Sequence, residues 1–134
     1  MRLQKNTMLA LYSLLEFARA PHTHVAAASV AAKYGASPHH LAKVLAELAR
    51  SGLLESVRGV GGGYRFIGNP KRVTLMDVIA LFEDFAPATA SGAIVSPIDR
   101  AINTVLSEID ENARATFSSI TLATMLRLVE RQQT

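Results

Sequence analysis

Apolar residues recur at steps of three and four along most of the chain, and one short interval in the middle alternates instead. Met8, Leu11, Tyr12, Leu15 and Ala18 set a helical period across residues 5–19, which Pro21 closes. An alanine-rich helix over 26–34 follows, with Gly35 suited to its C-terminal cap. Ser37-Pro38 is a start signal, an N-cap side chain followed by proline at the first helical position. The helix it opens runs over 38–51, carries Leu41, Val44, Leu45 and Leu48 on one face, and stops at Gly52. Leu53–Val57 and Tyr64–Ile67 are two short strands of one β-hairpin. Asn69-Pro70 then breaks the chain, and Thr74-x-x-Asp77 resembles a capping box that opens a helix through Val78, Ile79, Leu81, Phe82 and Phe85. Residues 86–97 are small and uncharged, a loop. A long amphipathic helix over about 98–117 repeats Ile98, Ile102, Val105, Ile109, Ala113 and Phe117, and a shorter one covers 120–131.

This order predicts a mainly α fold with a small β-hairpin: a winged helix-turn-helix followed by a long C-terminal helix. Residues 1–72 hold the winged unit, and 73–134 hold a linker helix, the loop and the last two helices. The stripe on helix 98–117 suits a helical partner in a second copy, and a helix packed in a monomeric core would show the same stripe.

The hairpin tip, SVRGVGGGYRF over 56–66, packs four of the chain's eight glycines into five positions. Glycine costs backbone entropy and packs nothing, so the cluster needs a reason. A dinucleotide fingerprint requires a third spaced glycine and a helix directly after it; Tyr64 stands at that position and no helix starts there. A Walker loop requires Gly-Lys-Ser/Thr, and the run has no lysine. A wing remains. Gly59, Gly61, Gly62 and Gly63 let the backbone approach sugar and phosphate, and Arg58 has room to enter a narrow minor groove.

Charge sharpens this reading. Residues 1–72 carry ten Lys/Arg against three Glu, whereas 73–134 carry four against eight Asp/Glu, within an overall formal charge of +3. A basic first half points to a polyanion as its partner. No cysteine occurs in the 134 residues, which excludes disulfides, thiolate catalysis and cysteine-bound zinc or iron–sulfur groups. No apolar run approaches the ~20 residues of a bilayer span, and no signal-peptide cleavage pattern is present, so a cytoplasmic protein without a membrane partner is expected.

From Met1-Arg2-Leu3 through Ser37-x-x-x-Leu41-x-Lys43-Val44-Leu45-x-x-Leu48 to Gly52-Leu53-Leu54-x-Ser56-Val57-Arg58-Gly59-x-Gly61-Gly62-Gly63-Tyr64, the chain resembles the Rrf-two family of bacterial transcription regulators, of the IscR, NsrR and CymR type. Val73-Thr74-Leu75-x-Asp77-Val78-Ile79 and Ser119-Ile120-Thr121-Leu122 also fit, so the resemblance covers nearly the whole length. It implies a homodimer joined along residues 98–117, through Ile98, Ile102, Val105, Ile109, Ala113 and Phe117. It also implies a pseudo-palindromic operator, with repression the favoured outcome. Many members hold an iron–sulfur cluster on three cysteines in the segment corresponding to about 86–106; here that segment has neither Cys nor His, and the position of a further acidic ligand matches Met8. The chain resembles the cluster-free branch, whose members answer to another small-molecule or protein signal, and no cofactor is expected.

The DNA-facing set comprises Lys5 and Thr7, from family-equivalent positions, with Ser37, His39, His40 and Lys43 at the recognition helix. Arg58, Gly59, Gly61, Gly62, Gly63, Tyr64 and Arg65 complete it from the wing. His39 and His40 have the alternative of a solvated surface, Lys43 that of an ordinary solvated charge, and Arg65 that of a wing-surface charge. His22 and His24 are too few for a metal site. Asp77, Glu83 and Asp84 are better explained by a helix cap and an acidic face than by a catalytic dyad, so no enzyme is expected. The competing reading is a winged-helix dimer that binds a protein partner and no longer binds an operator.

Overall fold

The computed structural model describes residues 2–21, 25–58, 63–84 and 96–133. Helix α1 (Lys5–Ala18) is followed by a two-residue strand β1 (Val25–Ala26), then α2 (Ala27–Tyr34) and α3 (Pro38–Arg50). The hairpin β2 (Leu54–Val57) and β3 (Gly63–Phe66) comes next, then α4 (Leu75–Ile79), α5 (Pro97–Ser119) and α6 (Leu122–Gln133).

The expected start and stop signals operate. Gly35 caps α2 in the left-handed conformation at φ 64°, which an L side chain adopts only at a cost. Ser37 Oγ accepts the His40 amide at 3.1 Å and Pro38 occupies the first turn of α3. The reciprocal box at α4 is complete: Thr74 Oγ1 accepts the Asp77 amide at 3.2 Å, and Asp77 Oδ2 accepts the Thr74 amide at 2.9 Å.

Three expectations need correction. Ala26 belongs to strand β1, not to the helix after it; β1 pairs antiparallel with β3 and makes a three-stranded sheet of order β1-β3-β2. Two residues are too few to show a period. On α1 the face turned inward is Thr7, Leu9, Ala10, Ser13, Leu14, Phe17 and Ala18, while Met8, Leu11 and Leu15 are half-buried and Tyr12 is exposed. The helix is apolar on most sides, so its period alone did not select the buried one. Helix α4 stops at Ile79 and tightens into a turn, with the Phe82 amide on the Ile79 carbonyl at 3.1 Å; Phe85 lies outside the described residues. The turn brings Glu83 back to α1, whose N-cap residue Gln4 offers no side-chain cap.

One core joins both halves of the chain. Leu14 and Phe17, Val30 and Leu41, Leu45 and Leu48, and Leu54 and Phe66 pack with Val78, Ile79 and Leu122. Leu122 is held there by an isolated bridge between Thr74 and Thr121, with Leu75 N–H on Ile120 O and Leu122 N–H on Val73 O, each at 2.9 Å. The bridge ties the end of α5 to the start of α4. The rest of α5 extends from that anchor with no fully buried residue along its 23. No helix among the described residues is long and apolar enough to cross a membrane.

Candidate nucleic-acid interface

Helix α3 owes its orientation to its apolar face. Leu41, Val44, Leu45 and Leu48 are buried, which turns His39, Ala42, Lys43 and Arg50 outward. Helical spacing places His39, Ala42, Lys43 and Ala46 on one outer strip. The two alanines were not among the expected contacts. Their signal in the sequence is weak, because a small residue opposite an apolar face looks like any surface alanine. Arg50 forms an ion pair with Glu47, whereas Lys43 makes none among the described residues. Glu47, Lys43 and His40 border a shallow cavity that Leu81 and Phe82 close from the turn after α4.

In the wing, Arg58 is exposed directly after β2. Arg65 is also exposed, but it lies opposite Glu55 in the strand register and pairs with that carboxylate. That pairing favours the wing-surface alternative for Arg65. Tyr64 is half-buried, its ring tilted against Phe17 with centroids 6.2 Å apart, so it braces the wing on α1. Gly63 is buried in the central strand between Val57 and Ala26 rather than standing at a free tip. Gly59, Gly61 and Gly62 lie outside the described residues, as do His22 and His24.

Lys5 is exposed at the start of α1 and makes no ion pair among the described residues. Thr7 corrects the expectation of a phosphate contact: it is fully buried and its hydroxyl donates to Glu83. The same carboxylate accepts the Gln4 amide at 2.8 Å, so Glu83 caps α1 from outside that helix, where negative charge also complements the helix dipole. Lys5 lines a common cavity with Ser37 and His40, more than thirty residues later in the sequence. Below it, Tyr12 and Tyr34 stack with Lys33 over the Tyr34 ring, and Lys33 bonds Glu16 at 3.0 Å. Burial, helped by the Glu16 carboxylate, pushes the Tyr34 phenol above its usual range.

The stripe of α5 faces solvent: Ile98 is 74% exposed, Ile102 54%, Val105 56% and Ile109 53%. Leu106, absent from the expected set, joins it at 45%. Ala113 is half-buried, and Phe117 packs at the edge of the core near the anchored end of the helix. Large apolar side chains left in water along one helix face are a candidate interaction surface.

Comparisons with known proteins agree with this architecture. The family profile Rrf2, described as an iron-dependent transcriptional regulator, matches residues 3–128. A protein named as an HTH-type transcriptional regulator, BadM of Rhodopseudomonas palustris, is 49% identical over 134 residues, covering 99% of this chain and 86% of that one. The T. potens IscR structure superposes with a TM-score of 0.74 at 26% identity, covering 100% of this chain and 92% of the other. CymR of B. subtilis, a global cysteine regulator, gives 0.75 at 21% identity over 96% and 98%, which speaks for the fold alone. Iron is in the family's description, and the residues here do not fit a cysteine-ligated cluster. The chain contains no cysteine, and no group of three His, Cys, Asp or Glu among the described residues could hold a metal ion. With the helix-turn-helix, the wing and the long anchored helix all in place, the chain belongs to the Rrf2 family of transcriptional regulators.

Proposed function

We propose that the protein is a homodimeric repressor that binds a pseudo-palindromic operator and works in the cytoplasm without an iron–sulfur cluster. The carrying observation is the outer strip of α3, where His39 and Lys43 flank small alanines on a helix locked into the core by its opposite face. Such a strip suits a major groove: the alanines allow close approach and contact with thymine methyl groups, while His39 and Lys43 reach base edges and phosphate. Arg58 serves the adjacent minor groove and Lys5 a phosphate. In this reading residues 1–72 bind DNA, and 73–134 connect and pair the subunits through Ile98, Ile102, Val105, Leu106 and Ile109. A dimer then presents two copies of α3 to half-sites one helical turn or a multiple apart. An effector, small molecule or protein, releases the DNA.

A mobility-shift titration on the protein's own promoter at several salt concentrations tests this. Sequence-selective complexes that weaken with salt are expected. Failure to distinguish promoter from scrambled duplex would favour a protein-binding adaptor instead.

A further inference from the structure

The cavity lined by Lys5, Ser37 and His40 measures about 390 Å³ and lies between α1 and the α2–α3 turn. Small-molecule sites occupy roughly 300–1,000 Å³ and combine apolar walls with a few placed polar groups. The walls here include Met8 and the stacked Tyr12 and Tyr34, whose ring centroids are 4.7 Å apart with planes within 5°. The polar groups favour donation. Lys5 carries only donors, and Ser37 Oγ already accepts the His40 amide, which leaves its hydroxyl proton free to donate. His40 also lines the cavity, its Nε2 buried and without a hydrogen-bond partner among the described residues. No Asp or Glu lines the cavity. A cation with neighbouring donors and no carboxylate selects an anion.

We propose that this cavity binds a small organic carboxylate, with its charge on Lys5 and Ser37 and its apolar body against Met8, Tyr12 and Tyr34. Lys5 belongs to the proposed DNA interface, and Ser37 is among the DNA-facing residues expected from the sequence. Ligand and operator therefore compete directly for them, and no transmitted shape change is needed; this regulatory part rests on the operator-binding reading above.

Calorimetric titration of the intact protein with phenylacetate and with hexanoate, each beside its neutral amide, tests the site without DNA. Saturable binding of a carboxylate is expected, at least tenfold weaker for the amide. Tyr12→Ala, at a side chain already 39% exposed, should weaken it tenfold or more, and Met8→Trp should abolish it by filling the space. Circular dichroism melting checks that both variants fold. Flat titrations with both carboxylates, as when a second copy closes the cavity, overturn the proposal; so does binding that survives Met8→Trp. In operator titrations, the carboxylate should raise the apparent Kd of the wild type in proportion to its concentration. Met8→Trp should bind operator within twofold of wild type and ignore the ligand. Ligand binding that leaves operator affinity unchanged overturns the competition. A wild type that binds no operator at all sinks the DNA reading, and the calorimetry still decides the cavity.

Discussion

Arg58 and Lys5 carry the same charge and are both exposed, yet they stand at opposite parts of the proposed interface. Arg58→Ala is expected to cost about 1–3 kcal/mol on the operator and to compress the ratio of specific to nonspecific binding, because a groove-inserted arginine reads groove shape. Lys5→Ala should weaken operator and scrambled duplex in parallel and lower the salt slope by about one, as loss of a phosphate contact does. Salt titrations of both variants on both duplexes separate the two. Thr7 makes a different prediction, because its hydroxyl is satisfied internally. Thr7→Val should destabilise the fold by about 1.5–3 kcal/mol through the lost bond to the Glu83 carboxylate, measured as a lower urea midpoint. Its salt slope on DNA should stay unchanged. Gly68 shows how little a residue type reveals by itself. A Cβ there would meet the Phe66 ring at 2.9 Å and the Val73 methyl at 3.3 Å, and nothing in the local sequence signals that approach.

Among the elements, α5 and α4 show how far a hydrophobic period reaches. The period of α5 is visible in the sequence; Ser96 and Pro97, at the border of the expected loop, instead start the helix, with Ser96 Oγ accepting the Asp99 amide at 3.1 Å. Only the fold separates the two ends of that stripe. Phe117 packs onto the core beside the strand-like tie at Thr121, while Ile98 to Ile109 remain in water. If the exposed part is the subunit seam, Ile102→Asp or Ile109→Asp buries an unpaired charge and should yield monomers or insoluble protein. Light scattering that finds a well-folded dimer in either variant places the seam elsewhere. Helix α4 ends early for a reason outside its own sequence: the turn after Ile79 lets Leu81 and Phe82 pack against the core and delivers Glu83 to the start of α1.

For the molecule as a whole, the absence of cysteine has a direct chemical consequence. Protein prepared without oxygen should be colourless, with no stoichiometric iron or sulfide; visible charge-transfer absorbance with both elements bound would refute the cluster-free reading. Much of the architecture was legible in the chain itself. Local signals act over four residues or fewer, and Ser37-Pro38, Gly35 and the Thr74–Asp77 box each operate through such short bonds. The buried face of α3 was equally legible, because its other faces are polar enough to leave one choice. The inward face of α1 was not, since several of its sides are apolar and packing against α3, α4 and β3 selects among them. Strand β1 exists only because β3 offers it an edge. Thr7 and Glu83 are 76 residues apart, and Lys5 of α1 meets Ser37 and His40 from the α2–α3 turn and the first turn of α3. Sequence determined most of the elements, whose causes are near neighbours along the backbone; tertiary structure decided strand β1, the end of α4 and which polar groups meet, because these depend on packing between segments that local periodicity does not relate.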